Sequence, residues 1–199
     1  MTSTIEIKLP PAQAFVGIVR GWEETHKGRL AILRRNAGEP LKDARRVTWI
    51  YDLLNSFGGV YGDEMLFLTA ALIALDRPFL KKERSFTGSL GRTMALMKAA
   101  PGANVESLER RFAILLDADY DPRTGGGELP FRLRQTVKLI VSSGAGIDWP
   151  QLLSDLRFWN DPDKTVQKRW AKHFYAPALK TENTQTEERT ETQGETDAD

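Results

Sequence analysis

The segment that decides the fold is Asp63-Glu-Met-Leu-Phe-Leu-Thr-Ala-Ala-Leu-Ile-Ala-Leu75. From Met65 onward it is apolar around most of a helical circumference, and the next proline along the chain is Pro78. A helix without a polar face must lie inside a core, because no side of it can be turned toward water. We therefore predict a central helix over residues 65–75 that Asp63 begins and Pro78 ends.

On both sides of this segment, apolar residues recur at three- and four-residue steps, and no long stretch alternates with a period of two. This periodicity is typical of amphipathic helices and predicts an all-α protein without a sheet. We expect a bundle of about eight to nine helices in two packed lobes. The predicted lobes are residues 1–87 and residues 88–179.

Turn residues and charges set several of the predicted bounds. The third helix is expected over residues 43–57, with Gly58-Gly59 as its end, and Asp161 before Pro162 is expected to begin the last helix. Residues 77–87 are predicted to form a polar loop. Residues 117–128, which contain three consecutive glycines, are predicted to form a mobile loop.

The composition limits both the location of the protein and its chemistry. The 199 residues include no cysteine, which excludes a disulfide framework, a thiolate nucleophile and cysteine-ligated metal sites. We find no membrane-length apolar run and no signal peptide, so a cytoplasmic location is expected. Residues 180–199 hold seven acidic residues against Lys180 and Arg189, a net charge of −5. This tail is predicted to be disordered because it lacks apolar side chains, and the rest of the chain carries +6.

Motifs for catalysis are weak throughout the sequence. His26 and His173 are the only histidines, and neither has a second ligand at metal-site spacing. Asp117, Asp119 and Asp121 alternate as in a calcium loop, but the downstream glycine and glutamate of that motif are missing. No phosphate-binding glycine loop is present. We predict a protein without catalytic residues, bound metal or cofactor.

Four of the five tryptophans divide into two groups by their spacing. Trp22 and Trp170 share apolar stripes with other core candidates and are predicted to be buried. Trp49 and Trp159 are less decided by the pattern. Trp49 lies near two arginines, so a platform for stacking nucleobases is an alternative to core packing at that position.

Clustered cations are the other candidate functional feature. On an ideal helix we expect Lys27, Arg34 and Arg35 to project away from the apolar Leu30/Leu33 stripe and to form a surface patch. Further cations follow at Arg45 and Arg46 and, spaced i and i+4, at Arg134 and Lys138. Such patches fit a polyanion, but ordinary solvated helix faces have the same composition. The residues alone leave both interpretations open.

Four segments, taken together and in order, carry a family resemblance. They are Gly28-Arg-Leu-Ala-Ile-Leu-Arg-Arg-Asn-Ala-Gly-Glu-Pro40, Gly88-Ser-Leu-Gly-Arg92, Glu106-Ser-Leu-Glu-Arg-Arg-Phe112 with Leu-Leu-Asp-Ala-Asp119, and Leu129-Pro-Phe-Arg-Leu-Arg134 with Asp148-Trp-Pro-Gln-Leu-Leu153. Over roughly residues 12–176 the chain resembles the CasB family, the small subunit of the type I-E CRISPR surveillance complex Cascade. The acidic tail and the glycine-rich loop depart from the usual pattern of that family.

The resemblance implies a non-catalytic helical subunit, present as two copies, that contacts the backbone and large subunits of a guide RNA-containing complex. It further implies a basic surface that holds the displaced non-target DNA strand and so stabilises the R-loop. A purely structural subunit that braces its neighbours is the rival interpretation. The nucleic-acid-binding residues predicted on this basis are Lys27, Arg29, Arg34, Arg35, Arg45, Arg46, Arg92, Arg132, Arg134 and Lys138.

Overall fold

The computed structural model describes residues 10–81 and 86–176, and every regular element in those ranges is helical. The all-α prediction is confirmed. Ten α-helices are present in the described ranges, the extra one being a single turn at α5, and the predicted disordered tail lies outside them. The helices are α1 (Pro11–Thr25), α2 (Lys27–Arg35), α3 (Tyr51–Tyr61), α4 (Asp63–Ile73), α5 (Arg77–Leu80), α6 (Leu90–Ala99), α7 (Val105–Asp117), α8 (Leu129–Ser143), α9 (Trp149–Leu156) and α10 (Thr165–Tyr175).

Helix α4 lies at the centre of the bundle, as predicted. All nine residues from Met65 to Ile73 are buried, because helices α1, α2, α3, α8 and α9 contact α4 from different sides. Pro78 does not end this helix directly. It instead occupies the first turn of α5, where the Asp76 carboxylate accepts a hydrogen bond from the Phe79 backbone N–H at 3.2 Å. The predicted polar loop over residues 77–87 therefore begins with a helical turn.

The third helix differs from its prediction at both ends. Residues 41–43 and 48–50 form separate 3-10 turns, and α3 begins only at Tyr51. Gly58-Gly59 does not stop it, since the helix continues to Tyr61 and ends at Gly62, whose φ of 78° is readily adopted only by glycine. A Cβ at Gly58 would lie 2.5 Å from a carboxylate oxygen of Asp63, the end of an exposed side chain that can move aside.

The glycine-rich loop over residues 117–128 is closed by hydrogen bonds, and its mobility stays a prediction. Asp119 accepts from the Glu128 backbone N–H at 2.8 Å through its carboxylate and from the Leu129 N–H at 3.0 Å through its carbonyl. Asp121 accepts from the Arg123 N–H at 2.9 Å. These two carboxylates thus accept hydrogen bonds from backbone N–H groups of the same loop. Within residues 10–81 and 86–176, no group of three acidic or histidine side chains is arranged to hold a metal ion.

The start of the last helix is also corrected by the structure. Asp161 and Pro162 form a turn before it, in which the Asp161 carboxylate accepts from the Asp163 N–H at 3.0 Å and from the Thr165 hydroxyl at 2.6 Å. Helix α10 begins only at Thr165. It then packs along α6, and Trp170 meets Gly91 where the two helices are closest.

Buried side chains from both halves of the chain form one hydrophobic cluster. Helix α9 returns from the second half to pack on α1 and α4, and the Trp149 indole N–H donates to Asp76 at 3.1 Å. The Gly88 N–H donates to the Asp148 carboxylate at 2.9 Å. The core therefore crosses the predicted lobe boundary at residues 87 and 88, and the division into two lobes stays a prediction.

Candidate nucleic-acid interface

A cleft of about 690 Å³ lies at the end of α2 and brings three of the predicted cations together. Asn36 builds it. The Asn36 side-chain amide donates to the carbonyls of Ile32 at 2.9 Å and Arg45 at 3.1 Å, and its oxygen accepts from the Arg45 N–H at 3.0 Å. These bonds fasten the following loop to the helix end. The cleft is lined by Ile32, Arg35, Asn36, Glu39, Asp43, Arg45 and Arg46.

The charges of the cleft favour an anionic ligand. Arg35, Arg45 and Arg46 are all exposed, and Glu39 and Asp43 leave the lining with a net charge of +1. Among the residues that the structure describes, no acceptor hydrogen-bonds or ion-pairs with these three guanidinium groups. Each guanidinium carries five N–H donors that match phosphate oxygens, so all three are available to a nucleic-acid backbone.

Arg46 adopts a backbone conformation that is unusual for an arginine. Its φ is 62°, in the left-handed region, and its carbonyl accepts from the Trp49 indole N–H at 2.9 Å. A non-glycine residue in this region costs roughly 1 kcal/mol relative to ordinary backbone. Glycine would adopt this conformation without strain, so the arginine at position 46 lowers the free energy of unfolding.

We expect Arg46→Gly to raise the free energy of unfolding by about 1 kcal/mol, because it relieves the left-handed strain. The same change should weaken strand binding, since it removes a cation from the cleft. Urea unfolding and anisotropy with a labelled single strand measure the two effects. Arg46→Ala is the matched control, which removes the charge but keeps the strain. A less stable Arg46→Gly variant would contradict this account of the turn.

Arg34 was predicted to be a solvent-facing cation, but its side chain is half-buried. Its Nε donates to the Ala74 carbonyl at 2.8 Å, which satisfies the end of α4. Burial, followed by the nearby charge of Arg77, lowers the pKa of Arg34. The prediction was wrong for a geometric reason: at 100° per residue, position 34 lies only about 40° from Leu30 on the helical wheel. Arg35, on the far side, is the exposed one.

The other α2 cations lie one to two turns before the cleft. Lys27 is exposed on the first turn. Arg29 is half-buried, and its guanidinium carbon lies 4.9 Å from the Trp49 ring centroid and 5.7 Å from that of Trp22. Neither residue lines the cleft, and at 100° per residue their positions lie about 160° apart around α2.

The three predicted cations of α8 differ in their surroundings. Arg132 donates through Nε and Nη2 to Glu128 at 3.2 and 3.0 Å, an exposed pair of small energetic value that another anion can displace. The Arg134 stem packs on Gly38, where a Cβ would lie 3.1 Å from Cδ of the arginine. Its buried Nε has no hydrogen-bond partner in the described part of the chain. Lys138 is exposed one turn later.

Arg92 is exposed in the first turn of α6, away from the cleft lining. Ser89 caps that helix by accepting from the Arg92 N–H at 3.4 Å, and its hydroxyl lies 2.6 Å from His173 Nδ1. Sequence reasoning missed Asn36, Glu39 and Asp43 as cleft residues. An asparagine directly after the last helical turn was the available signal, because its short amide can bond nearby backbone.

The tryptophans follow the predicted division in part. Trp22 and Trp170 are buried in the core, as predicted. Trp159 is also buried, and its indole N–H donates to the Ala118 carbonyl at 2.9 Å. Trp49 is half-buried beside the cleft and packs against the edge of the core.

Comparison with models of protein families matches residues 29–175 to the family described as CRISPR-associated protein Cse2. The chain belongs to the Cse2 family. The matched range contains all ten predicted nucleic-acid-binding residues except Lys27. The resemblance to CasB, a name that solved members of the Cse2 fold also carry, is thereby confirmed.

Individual relatives agree with the Cse2 assignment. The Cse2 protein of Thermus thermophilus is 40% identical over 114 residues, so the alignment spans only 56% of each chain. The crystal structure of M. ruber CasB superimposes with a TM-score of 0.66 at 30% identity, covering 84% of this chain and 94% of the other. A chain of a CRISPR RNA-guided surveillance complex gives 0.68 at 22% identity over 82% and 91% of the two chains, which shows a shared fold.

No helix in the described ranges of this Cse2 chain is both long and apolar enough to span a membrane. The longest, α1 and α8, have 15 residues each and both carry polar side chains. A span needs roughly 20 predominantly apolar residues.

Proposed function

We propose that this chain is the small, non-catalytic subunit of a type I-E CRISPR surveillance complex and that it holds the displaced non-target DNA strand. The observation that carries the proposal is the α2 cleft, in which three exposed guanidinium groups lie together on a member of the Cse2 family. Strand contacts would be made to phosphates, because the cleft offers charge and donors but no groove-reading helix.

The energetics of R-loop formation explain why modest contacts suffice. The guide–target heteroduplex is about as stable as the DNA duplex that it replaces, so small protein contributions decide whether the loop persists. Guide–target pairing supplies sequence specificity. The Cse2 cleft then needs only to keep the displaced strand from re-pairing, and contacts without base preference serve this on any target.

The proposed partners follow from the family resemblance. They are the backbone and large subunits of the complex, the guide RNA-containing assembly as a whole, and a second copy of this chain. Apart from Arg34, which bonds Ala74, the predicted cations outside the cleft lining are Lys27, Arg29, Arg92, Arg132, Arg134 and Lys138. We propose them as further contacts either to the strand or to these neighbours.

The test is R-loop lifetime on a matched duplex, with a guide-loaded complex reconstituted with the full-length chain. We expect the Arg35→Glu, Arg45→Glu, Arg46→Glu triple variant to assemble and to shorten the lifetime roughly tenfold or more, as expected from losing charge-assisted contacts. Arg34 is left unchanged because it holds α4. Reversal of Arg110, Lys168 and Lys172, three exposed cations outside the cleft, is the charge-matched control. An unchanged lifetime in the cleft variant would overturn the proposal.

A second prediction concerns salt. If the three cleft arginines each neutralise one phosphate, strand affinity should fall with the logarithm of salt concentration with a slope about 2 smaller in the triple variant than in the wild type, at roughly 0.7 per contact. Anisotropy titrations with a labelled single strand at several salt concentrations measure both slopes. Equal slopes would show that the cleft makes no phosphate contact.

Bracing of neighbouring subunits is the second candidate function, and a separate surface favours it. An apolar groove of about 690 Å³ lies between α6, α7 and the end of α8, and Leu96 on its wall is 53% exposed. Exposed apolar patches of this kind commonly bind proteins. Leu96→Asp should then prevent incorporation into the complex, whereas the arginine variants should assemble normally. Size-exclusion chromatography of the reconstituted complex distinguishes the two roles.

A further inference from the structure

Trp49 differs from the other four tryptophans in its exposure. Trp22, Trp149, Trp159 and Trp170 are at most 6% exposed, whereas Trp49 is half-buried and packs against the edge of the core. Its ring packs edge-to-face on Trp22, with centroids 5.4 Å apart and an interplanar angle of 79°. Its N–H donates to the Arg46 carbonyl. The indole is therefore held rigidly, although part of it remains in contact with solvent.

Arg29 lies over this aromatic pair. Its guanidinium is 4.9 Å from the Trp49 centroid, a distance typical of cation–π contacts. No carboxylate or carbonyl in the described ranges accepts a hydrogen bond from its side chain. A guanidinium held by aromatic faces alone keeps its donors available, and both arginine planes and indole rings stack on unpaired bases.

The aromatic pair is continuous with the cleft. Arg29, Ile32 and Asn36 are spaced i, i+3 and i+7 along α2, so they lie on one side of the helix, and the last two line the cleft. Arg46 joins the two features directly, because its carbonyl holds Trp49 while its side chain lines the cleft. Stacking surface and phosphate-binding donors thus adjoin each other.

We propose that Arg29 and Trp49 form a seat for an unpaired nucleobase of a single strand whose flanking phosphates bind Arg35, Arg45 and Arg46. This inference rests on the proposed function and adds to it a contact to the base. The seat accepts any base, since every base has a π-face. Strand retention would then depend on the presence of bases as well as on charge.

The experiment measures R-loop lifetime in the reconstituted complex on two duplexes. In one, the displaced strand is intact; in the other, it carries abasic sites along its length. We expect Trp49→Ala to shorten the lifetime roughly tenfold on the intact strand, as for the loss of one stacked base, and less than about twofold on the abasic strand. Arg29→Lys, which keeps the charge but loses the planar group, should act in the same direction without disturbing the Trp22 packing. Arg110→Lys is the matched control.

The outcomes distinguish the nucleobase seat from the phosphate-binding cleft. Equal shortening on both strands, or none on either, would overturn the nucleobase seat. If the triple arginine variant still shortens the lifetime in that case, the phosphate-binding cleft stands by itself. If the arginine variant is also without effect, the strand-holding function fails together with the seat.

Discussion

Replacing Asp155 with Ala is expected to lower the free energy of unfolding by about 2 to 3 kcal/mol. The Asp155 side chain is 1% exposed, and its carboxylate accepts from the Trp170 indole N–H at 2.6 Å and the Gln151 amide at 2.5 Å, while Arg169 forms an ion pair with it. Removal of this carboxylate leaves the buried Trp170 indole N–H, the partly buried Gln151 amide and the exposed Arg169 charge without their acceptor. The loss weakens the link between α9 and α10, because the bonds from Arg169 and Trp170 join these two helices.

Urea unfolding monitored by circular dichroism measures the effect. Asp163→Ala is the matched control, since Asp163 is exposed in a turn before α10 and should change stability by less than about 0.5 kcal/mol. Asp155→Asn keeps one acceptor oxygen and should destabilise less than Asp155→Ala. A loss below about 1 kcal/mol in the alanine variant would contradict the role of this network.

Replacing Gly91 with Ala should destabilise the protein by about 2 to 3 kcal/mol, although glycine-to-alanine changes within helices usually stabilise. A Cβ at Gly91 would lie 2.8 Å from both the carbonyl carbon and the Cα of Trp170. These are backbone atoms of α10, which cannot rotate away as a side chain would. Helices α6 and α10 would have to separate, and Trp170, which is fully buried, would lose its packing.

Gly21→Ala provides the opposite sign under the same measurement. Gly21 lies in α1, and a Cβ there would meet nothing within 4 Å. We expect this variant to gain roughly 0.5 to 1 kcal/mol in the free energy of unfolding from the higher helix propensity of alanine. If both variants were stabilised, the close approach of α6 and α10 would be wrong.

Neither Asp155→Ala nor Gly91→Ala changes a residue of the cleft, so these two variants also separate effects on stability from effects on strand binding. Asp155 and Gly91 lie in α9 and α6, whereas the cleft is formed by the end of α2 and the loop after it. A variant that folds at the assay temperature should retain the wild-type salt slope. Loss of R-loop lifetime in such a variant would indicate that α6, α9 or α10 contacts the complex.

The cation set illustrates what could be predicted of the site. Arg35, Arg45 and Arg46 were predicted individually and lie together in the structure. Their convergence depends on Asn36, whose side chain bonds a loop nine residues away, and a pattern of charges contains no such information. Arg34 shows the reverse case. Its charge suggested solvent, but its position near Leu30 directs it to the Ala74 carbonyl.

The sequence by itself determined the all-α class, the central position of α4 and the start of that helix at Asp63. Hydrophobic periodicity and local caps depend only on neighbours along the chain, as for the Asn104 and Asp148 side chains that accept from the N–H groups of Ser107 and Gln151. The tertiary structure decided the rest. The backbone of α10 at Trp170 leaves no room for a Cβ at Gly91, and the Asp155 carboxylate of α9 accepts from Arg169 and Trp170 of α10. Such contacts join residues distant in sequence, so their physical reason exists only in the folded chain.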